Sequence, residues 1–117
     1  AFAILHYPAI DRNAPLYLNT FNTTGSLLGM DYAEAEAEAI SAQNMVTAKT
    51  PPTLLMLCDD DKTVPPTSPL DYYEALIRHG VKASIHIFPK GGHSLKHSLE
   101  ESRTLTLDWL EWLGLTK

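Results

Sequence analysis

The chain has 117 residues, a formal net charge of −5 and 44% hydrophobic residues. This is the length and composition of one folded domain, which buries roughly 65% of the surface of its unfolded chain. The acidic balance, with no cluster of Lys and Arg, argues against nucleic-acid and membrane partners, because binding phosphates requires clustered positive charge. The longest purely apolar runs, residues 1–5 and 54–58, are far shorter than the roughly 20 residues of a membrane span.

The first half of the chain predicts one strand, a long irregular segment and one helix. Residues 2–7, FAILHY, predict a buried strand that Pro8 ends, because proline cannot continue a strand's hydrogen bonds. Residues 9–30 show no period, which is typical of a functional loop or lid. Residues 31–44 predict a helix, because Ala and Glu favour helix over strand. We interpret residues 9–48 together as a lid-like insertion over a site.

The second half predicts two further strands, each followed by a loop and a helix. The strands are the apolar runs 53–58, TLLMLC, and 83–88, ASIHIF. The first helix is predicted to begin with Ser68 as its N-cap and Pro69 at its first position, and to end at Gly80.

Each of these two helices carries an apolar stripe that is expected to face the sheet. The stripe of the first helix consists of Leu70, Tyr73, Leu76 and Ile77. The second helix is predicted from a capping box at residues 98–101, SLEE, to about Leu113. Its stripe consists of Leu105, Trp109, Leu110 and Leu113.

Strand, helix, strand, helix in this order predicts an α/β fold with a parallel sheet and right-handed crossovers. The loops that follow parallel strands emerge at the same edge of the sheet, where open α/β sheets place their chemistry. Asp61 follows one strand and His93 the next, so we expect the two to be neighbours at that edge. An imidazole beside a carboxylate is the base and orienter of a nucleophilic triad, in which Asp fixes the tautomer and His moves the proton.

Several motifs resemble the C-terminal part of the α/β-hydrolase superfamily, and within it the carbohydrate acyl-esterase branch described as acetylxylan-esterase-like or xylanase-B-like. The most specific are DDDKTVPP and GGHS; AILHYPAI, SLLG, VTAKTPPTLL and DWLEWL are similar as well, so the resemblance spans nearly the whole chain. It implies Asp61 as the triad acid and His93 as the base. Asp60 is an alternative acid, because three consecutive Asp leave the register open. The implied reaction is hydrolysis of a small ester, such as an acetylated sugar, without a cofactor.

The sequence departs from that superfamily in one respect, because it contains no GxSxG nucleophile elbow. Ser94 adjoins His93 but lacks the strand-turn-helix context of an elbow, so we interpret it as a turn residue. We therefore expect the nucleophilic serine to lie outside these 117 residues. The chain also begins with apolar residues and no Met, which predicts a start inside a strand of a longer hydrolase and a chain that is inactive alone.

The sequence supports other kinds of site less well. His93 and His97 have a metal-ligand spacing, but the HExxH glutamate and the glycine of a calcium loop are missing. We therefore predict no metal. Cys58, the only cysteine, is expected to be a buried structural residue, because no cationic neighbour lowers its pKa.

Two further interpretations of the whole chain stay open. One is a noncatalytic half-domain that docks on another chain; the other is a peptidase-like or lipase-like hydrolase. Three strands leave an open sheet edge, which we expect either the remainder of a hydrolase domain or a second copy to cover. The sequence fits a cytoplasmic and a secreted location equally.

Overall fold

A computed structural model describes residues 2–8, 41–64 and 66–115. The elements in chain order are β1 (Ala3–His6), a 3-10 helix (Ala42–Met45), β2 (Thr53–Cys58), α1 (Thr67–Arg78), β3 (Ala83–Phe88) and α2 (Leu99–Trp112). The α/β fold class is confirmed. The predicted bounds of β2 and β3 agree with the structure, whereas β1 is one residue shorter at each end than predicted. No helix in the described part of the chain is long and apolar enough to cross a membrane.

The three strands form one parallel sheet with β2 in the centre. In this register Leu5 lies opposite Leu55, which lies opposite Ile85. All six residues of β2 are buried, because strands flank it on both sides and helices cover both faces of the sheet. The shared direction of β2 and β3 brings the loops after them to one edge, as the sequence predicts.

Alternation along β2 divides the core between two faces of the sheet. Leu55 packs on the α1 side, in a buried cluster completed by Val46, Ala75, Leu76 and Val81. Leu54, Met56 and Cys58 pack on the other side, in a cluster completed by Leu95 and Trp109. Cys58, the last residue of β2, thus extends this second cluster to the edge where the predicted site lies.

Helix α1 begins earlier than predicted and faces the core differently. It starts at Thr67 with Pro66 before it, so Ser68 is a buried residue of the first turn rather than the N-cap. Pro69 is the third helical residue, where its missing N–H breaks no helical hydrogen bond. The small Ala75 and the adjacent Leu76 are fully buried, whereas Leu70 and Ile77 are 38% and 51% exposed. The predicted stripe was therefore wrong at its two ends.

Helix α2 occupies nearly the predicted range. Ser98 precedes its first turn but makes no side-chain cap hydrogen bond, so the predicted capping box is absent. Trp109 is buried, and Leu110 and Leu113 pack against its cluster, as expected for the sheet-facing stripe.

Most of the predicted lid and of the helix at 31–44 lies outside the described residues. Within the described part, residues 42–45 form a 3-10 helix rather than the end of an α-helix. Ser41 and Val46 on either side of it are buried, so this portion packs against the domain.

Candidate active site

The acid loop, residues 59–64, presents one carboxylate in a fixed orientation. Asp61 is only 5% exposed, and its Oδ1 accepts hydrogen bonds from the backbone N–H groups of Thr63 and Val64, both at 2.9 Å. Aspartate favours such local bonds to residues just ahead of it, because its short side chain reaches their N–H groups. These two donors hold the Asp61 carboxylate and leave Oδ2 free to bind elsewhere.

The His loop, residues 89–95, brings an imidazole to that free oxygen. Nδ1 of His93 lies 2.7 Å from Oδ2 of Asp61. The Asp61 side chain is almost fully buried, whereas the His93 side chain is 37% exposed. When Nδ1–H donates to the carboxylate, Nε2 of the neutral ring carries the lone pair. The pair can therefore accept a proton at Nε2 and stabilise the resulting imidazolium.

Asp60 contacts the backbone of the His loop. Its Oδ1 accepts a hydrogen bond from the Gly92 N–H at 2.8 Å, and its Oδ2 lies 3.4 Å from the Gly91 N. The Gly92 hydrogen bond is the main reason that the pKa of the Asp60 carboxyl lies below its ordinary value. Of the two candidate acids, Asp61 is the one that the structure brings to the His93 ring.

Cys58 contacts the backbone of the His loop. Its Sγ lies 3.2 Å from the Lys90 carbonyl oxygen and 3.0 Å from that of Ser94. A Cβ at Gly91, where φ is +141°, would come within 2.7 Å of this sulfur and 2.9 Å of the Ser94 oxygen, so only glycine fits there. Burial, followed by the charges of Asp60 and Asp61, raises the pKa of the Cys58 thiol. The predicted buried position is confirmed.

Tyr7 is a site residue that the sequence analysis missed. It directly follows β1, and its ring centroid lies 4.6 Å from that of His93 with the ring planes at 59°. Its φ of +39° is unusual for a non-glycine residue, and its N–H donates to the Met56 carbonyl. Backbone strain of this kind concentrates at functional sites. Its position in the sequence could have identified it, because Tyr7 ends the first predicted strand, at the edge of the sheet where Asp61 and His93 were expected.

The remaining candidates do not form a second site. Ser94 Oγ donates to the Gly91 carbonyl oxygen at 2.9 Å, as expected of a turn residue. Within the described residues, no three His, Cys, Asp or Glu side chains are grouped so that they could hold a metal ion. His97 is exposed and lies close enough to Asp60 to lower its pKa further.

Comparison with known proteins agrees with this fold. The sequence profile described as "Prolyl oligopeptidase family" matches residues 2–115. An acetyl ester-xyloside bifunctional hydrolase from Caldicellulosiruptor lactoaceticus is 32% identical, with a TM-score of 0.86; the match covers 99% of this chain and 43% of that one.

Two proteins from Lactobacillus plantarum are also similar. The carboxylesterase Cest-2923 is 28% identical with a TM-score of 0.77, and the match covers all of this chain and 46% of that one. A lipase/esterase is 30% identical with a TM-score of 0.74, and the match covers all of this chain and 42% of that one. A search of curated protein sequences gives no significant match.

Three parallel strands, their crossover helix and the carboxylate–imidazole pair at one edge define part of an α/β-hydrolase. The chain belongs to the prolyl oligopeptidase family. It spans less than half the length of the hydrolases and esterases that it matches in structure.

Proposed function

We propose that this chain supplies the acid and the base of a serine-type carboxylic ester hydrolase. His93 is the general base and Asp61 orients it. The observation that carries the proposal is the 2.7 Å contact between Asp61 Oδ2 and His93 Nδ1. The buried carboxylate, fixed by two backbone donors, supports the same assignment, because an orienting acid must hold its partner in one tautomer.

In the proposed reaction His93 Nε2 takes the proton from a serine hydroxyl as the serine oxygen attacks the ester carbonyl carbon. Asp61 stabilises the imidazolium, which then protonates the departing alkoxide. A water molecule, activated by the same nitrogen, releases the acyl group from serine. The chain contains no GxSxG motif, so the serine belongs to a segment outside these 117 residues, and the chain alone is inactive.

The proposed substrate is a small acyl ester, above all acetate, on a carbohydrate. The structural relative from Caldicellulosiruptor lactoaceticus is described as an acetyl ester-xyloside hydrolase, and the motifs of the acid and His loops resemble carbohydrate acyl-esterases. The proposal requires no cofactor, since the acid, the base and a serine suffice for acyl transfer.

A peptidase is the second candidate, and the family description favours it. Amide and ester hydrolysis use the same triad chemistry. Substrate preference therefore has to be measured with both bond types.

The rest of the hydrolase domain is the proposed occupant of the open sheet edge. Among the described residues no strand pairs with the outer edges of β1 and β3, and unpaired edges favour pairing with another strand. A second copy of the chain is the competing occupant. Sedimentation of the full-length polypeptide distinguishes them, because only the second copy makes it dimeric.

The test measures p-nitrophenyl acetate turnover by the full-length polypeptide that contains these residues. We expect His93→Ala to lower kcat by about 10⁶-fold and Asp61→Asn to lower it by about 10⁴-fold, the sizes of these two triad losses. His79→Ala is the matched control, because its imidazole bonds the Ala75 carbonyl at the end of α1, away from the site. Ordinary turnover by His93→Ala would exclude His93 as the base.

A second measurement addresses the substrate. We expect acetylated xylo-oligosaccharides to be deacetylated with a higher kcat/KM than aminoacyl p-nitroanilides are cleaved. The opposite order would favour the peptidase.

A further inference from the structure

Two consecutive carboxylates of the acid loop bind two different parts of the His loop. Asp61 reaches the His93 ring, whereas Asp60 reaches the backbone just before it. We propose that Asp60 is a positioning residue, which holds the His loop so that His93 stays within hydrogen-bond distance of Asp61. This inference rests on the proposed function of the pair.

The Asp60 carboxylate occupies a concave backbone surface made by two adjacent glycines. Gly91 and Gly92 both have positive φ, +141° and +61°. Their N–H groups lie 3.4 Å and 2.8 Å from the two carboxylate oxygens. Successive N–H groups in such a turn bind anions, and hydrogen bonds to a carboxylate are stronger than neutral ones. Asp60 thus supplies the anion from within the chain.

Asp61 and His93 are positioned by different hydrogen bonds. Asp61 is fixed within its own loop by the Thr63 and Val64 N–H groups. His93 lies between Gly92 and Ser94, so the Asp60–Gly92 bond and the contact of Cys58 Sγ with the Ser94 carbonyl oxygen hold the backbone on its two sides. A displacement of about 1 Å in a catalytic group can cost about 100-fold in rate.

The charges around Asp60 are consistent with a role as a fixed anion. The Gly92 N–H group is the main cause that lowers the pKa of the Asp60 carboxyl; desolvation opposes it, and the Gly91 N–H group and the nearby His97 lower the pKa further.

Steady-state kinetics of the full-length polypeptide test the role. We expect Asp60→Ala to lower kcat by up to about 100-fold with KM little changed, because the base is misplaced while the substrate contacts remain. Asp60→Asn keeps an oxygen acceptor for Gly92 and should retain most of the activity. Asp59→Ala, which removes a neighbouring exposed charge, is the control and should behave like the wild type.

These variants also separate positioning from a role as the acid. If Asp60 were the triad acid, Asp60→Asn would lose about 10⁴-fold in kcat, because the amide favours the wrong tautomer of histidine. Such a loss, with Asp61→Asn active, would overturn the proposal.

A second readout does not depend on catalysis. Cys58 is the only cysteine of these 117 residues, and its Sγ is buried against the Lys90 and Ser94 carbonyl oxygens of the His loop. A thiol reagent therefore reaches it when the loop opens, and mass spectrometry of the Cys58 peptide measures its labelling. We expect labelling in the native state to be faster in Asp60→Ala than in Asp60→Asn. Burial is the main cause that raises the thiol pKa, and both variants lack the Asp60 charge that adds to it, so a difference between their labelling rates does not come from that charge.

Equal labelling rates in Asp60→Ala and Asp60→Asn, together with equal kcat values, would overturn the positioning role while the Asp61–His93 assignment stands. If instead the labelling rates differ but His93→Ala is fully active, the proposed function fails and the loop contact itself is upheld.

Discussion

Polar side chains at the two ends of the central strand β2 form different kinds of hydrogen bond. At its amino end, Thr53 is buried and its hydroxyl donates to the Pro51 carbonyl, two residues away. At its carboxyl end, the side chains of Cys58, Asp60 and Asp61 all bind the His loop, across 31 to 36 residues of sequence.

This difference explains why one edge carries the candidate site. The local side-chain hydrogen bond at the amino end satisfies the buried Thr53 hydroxyl. Long-range bonds at the carboxyl end fix two loops relative to each other, which a carboxylate–imidazole pair requires. A substitution at the amino end should therefore change stability alone, and one at the carboxyl end should also change the position of His93.

Gly91→Ala should give the largest loss of stability. The new Cβ would meet the Cys58 sulfur and the Ser94 carbonyl oxygen at under 3.0 Å, on a backbone with φ of +141°. Overpacking and backbone strain together should cost about 3 kcal/mol. Gly80→Ala is the matched control at the amino edge, since its φ is +73° but nothing lies within 4 Å. It should cost about 1 kcal/mol, as measured by urea unfolding.

A double-mutant cycle locates the clash. Cys58→Ala removes the sulfur, so Gly91→Ala should cost less in that background than in the wild type. Equal costs for Gly91→Ala in the two backgrounds, or for Gly91→Ala and Gly80→Ala, would contradict the close packing at the carboxyl edge.

The sequence was sufficient to predict those parts of the site that follow from the direction of the strands. Two apolar runs separated by a helix predict parallel strands, and parallel strands place Asp61 and His93 at one edge. The structure confirms that neighbourhood. The choice of Asp61 over Asp60 came from the family resemblance and not from strand direction, because adjacent residues differ only in the direction of their side chains after the strand ends.

Other features depended on tertiary contacts that local patterns do not encode. The stripe predicted for α1 treats all apolar residues alike, but the helix buries its small residues Ser68 and Ala75, and Ala75 packs in the cluster that contains Leu55 of β2. Ile77 is left exposed as a result. Tyr7 was missed for a similar reason, because its contact with His93 depends on the order of strands in the sheet.

Thr53→Val tests the amino end of β2 with a smaller change. Valine has the same shape, so the expected loss is that of one buried hydrogen bond, about 1 kcal/mol. Urea unfolding measures this loss, and native-state labelling of Cys58 should stay at the wild-type rate. Faster labelling would mean that the amino end also controls the His loop, and the distinction between the two ends would be lost.

The smallest expected effect is a pH dependence of stability that belongs to Asp60. Its pKa is lower in the folded protein than the ordinary value of 3.8, chiefly because of the Gly92 hydrogen bond. A carboxyl whose pKa is lowered on folding stabilises the folded state. This contribution is complete above the pKa that the group has in the unfolded chain, and it is lost as the pH falls through the pKa that the group has in the folded protein. The unfolded chain binds more protons in that interval, so the free energy of unfolding falls with falling pH.

Asp60→Asn isolates this contribution, because the amide does not titrate. We expect the difference in urea midpoint between wild type and Asp60→Asn to be constant above about pH 5 and to shrink below about pH 4. Asp59→Asn is the control, because it removes a neighbouring exposed carboxylate and should leave the wild-type slope unchanged. If Asp60→Asn and the wild type keep the same difference throughout, Asp60 makes no ionised contact with the His loop, and the carboxyl end of β2 is held by Cys58 and Asp61 alone.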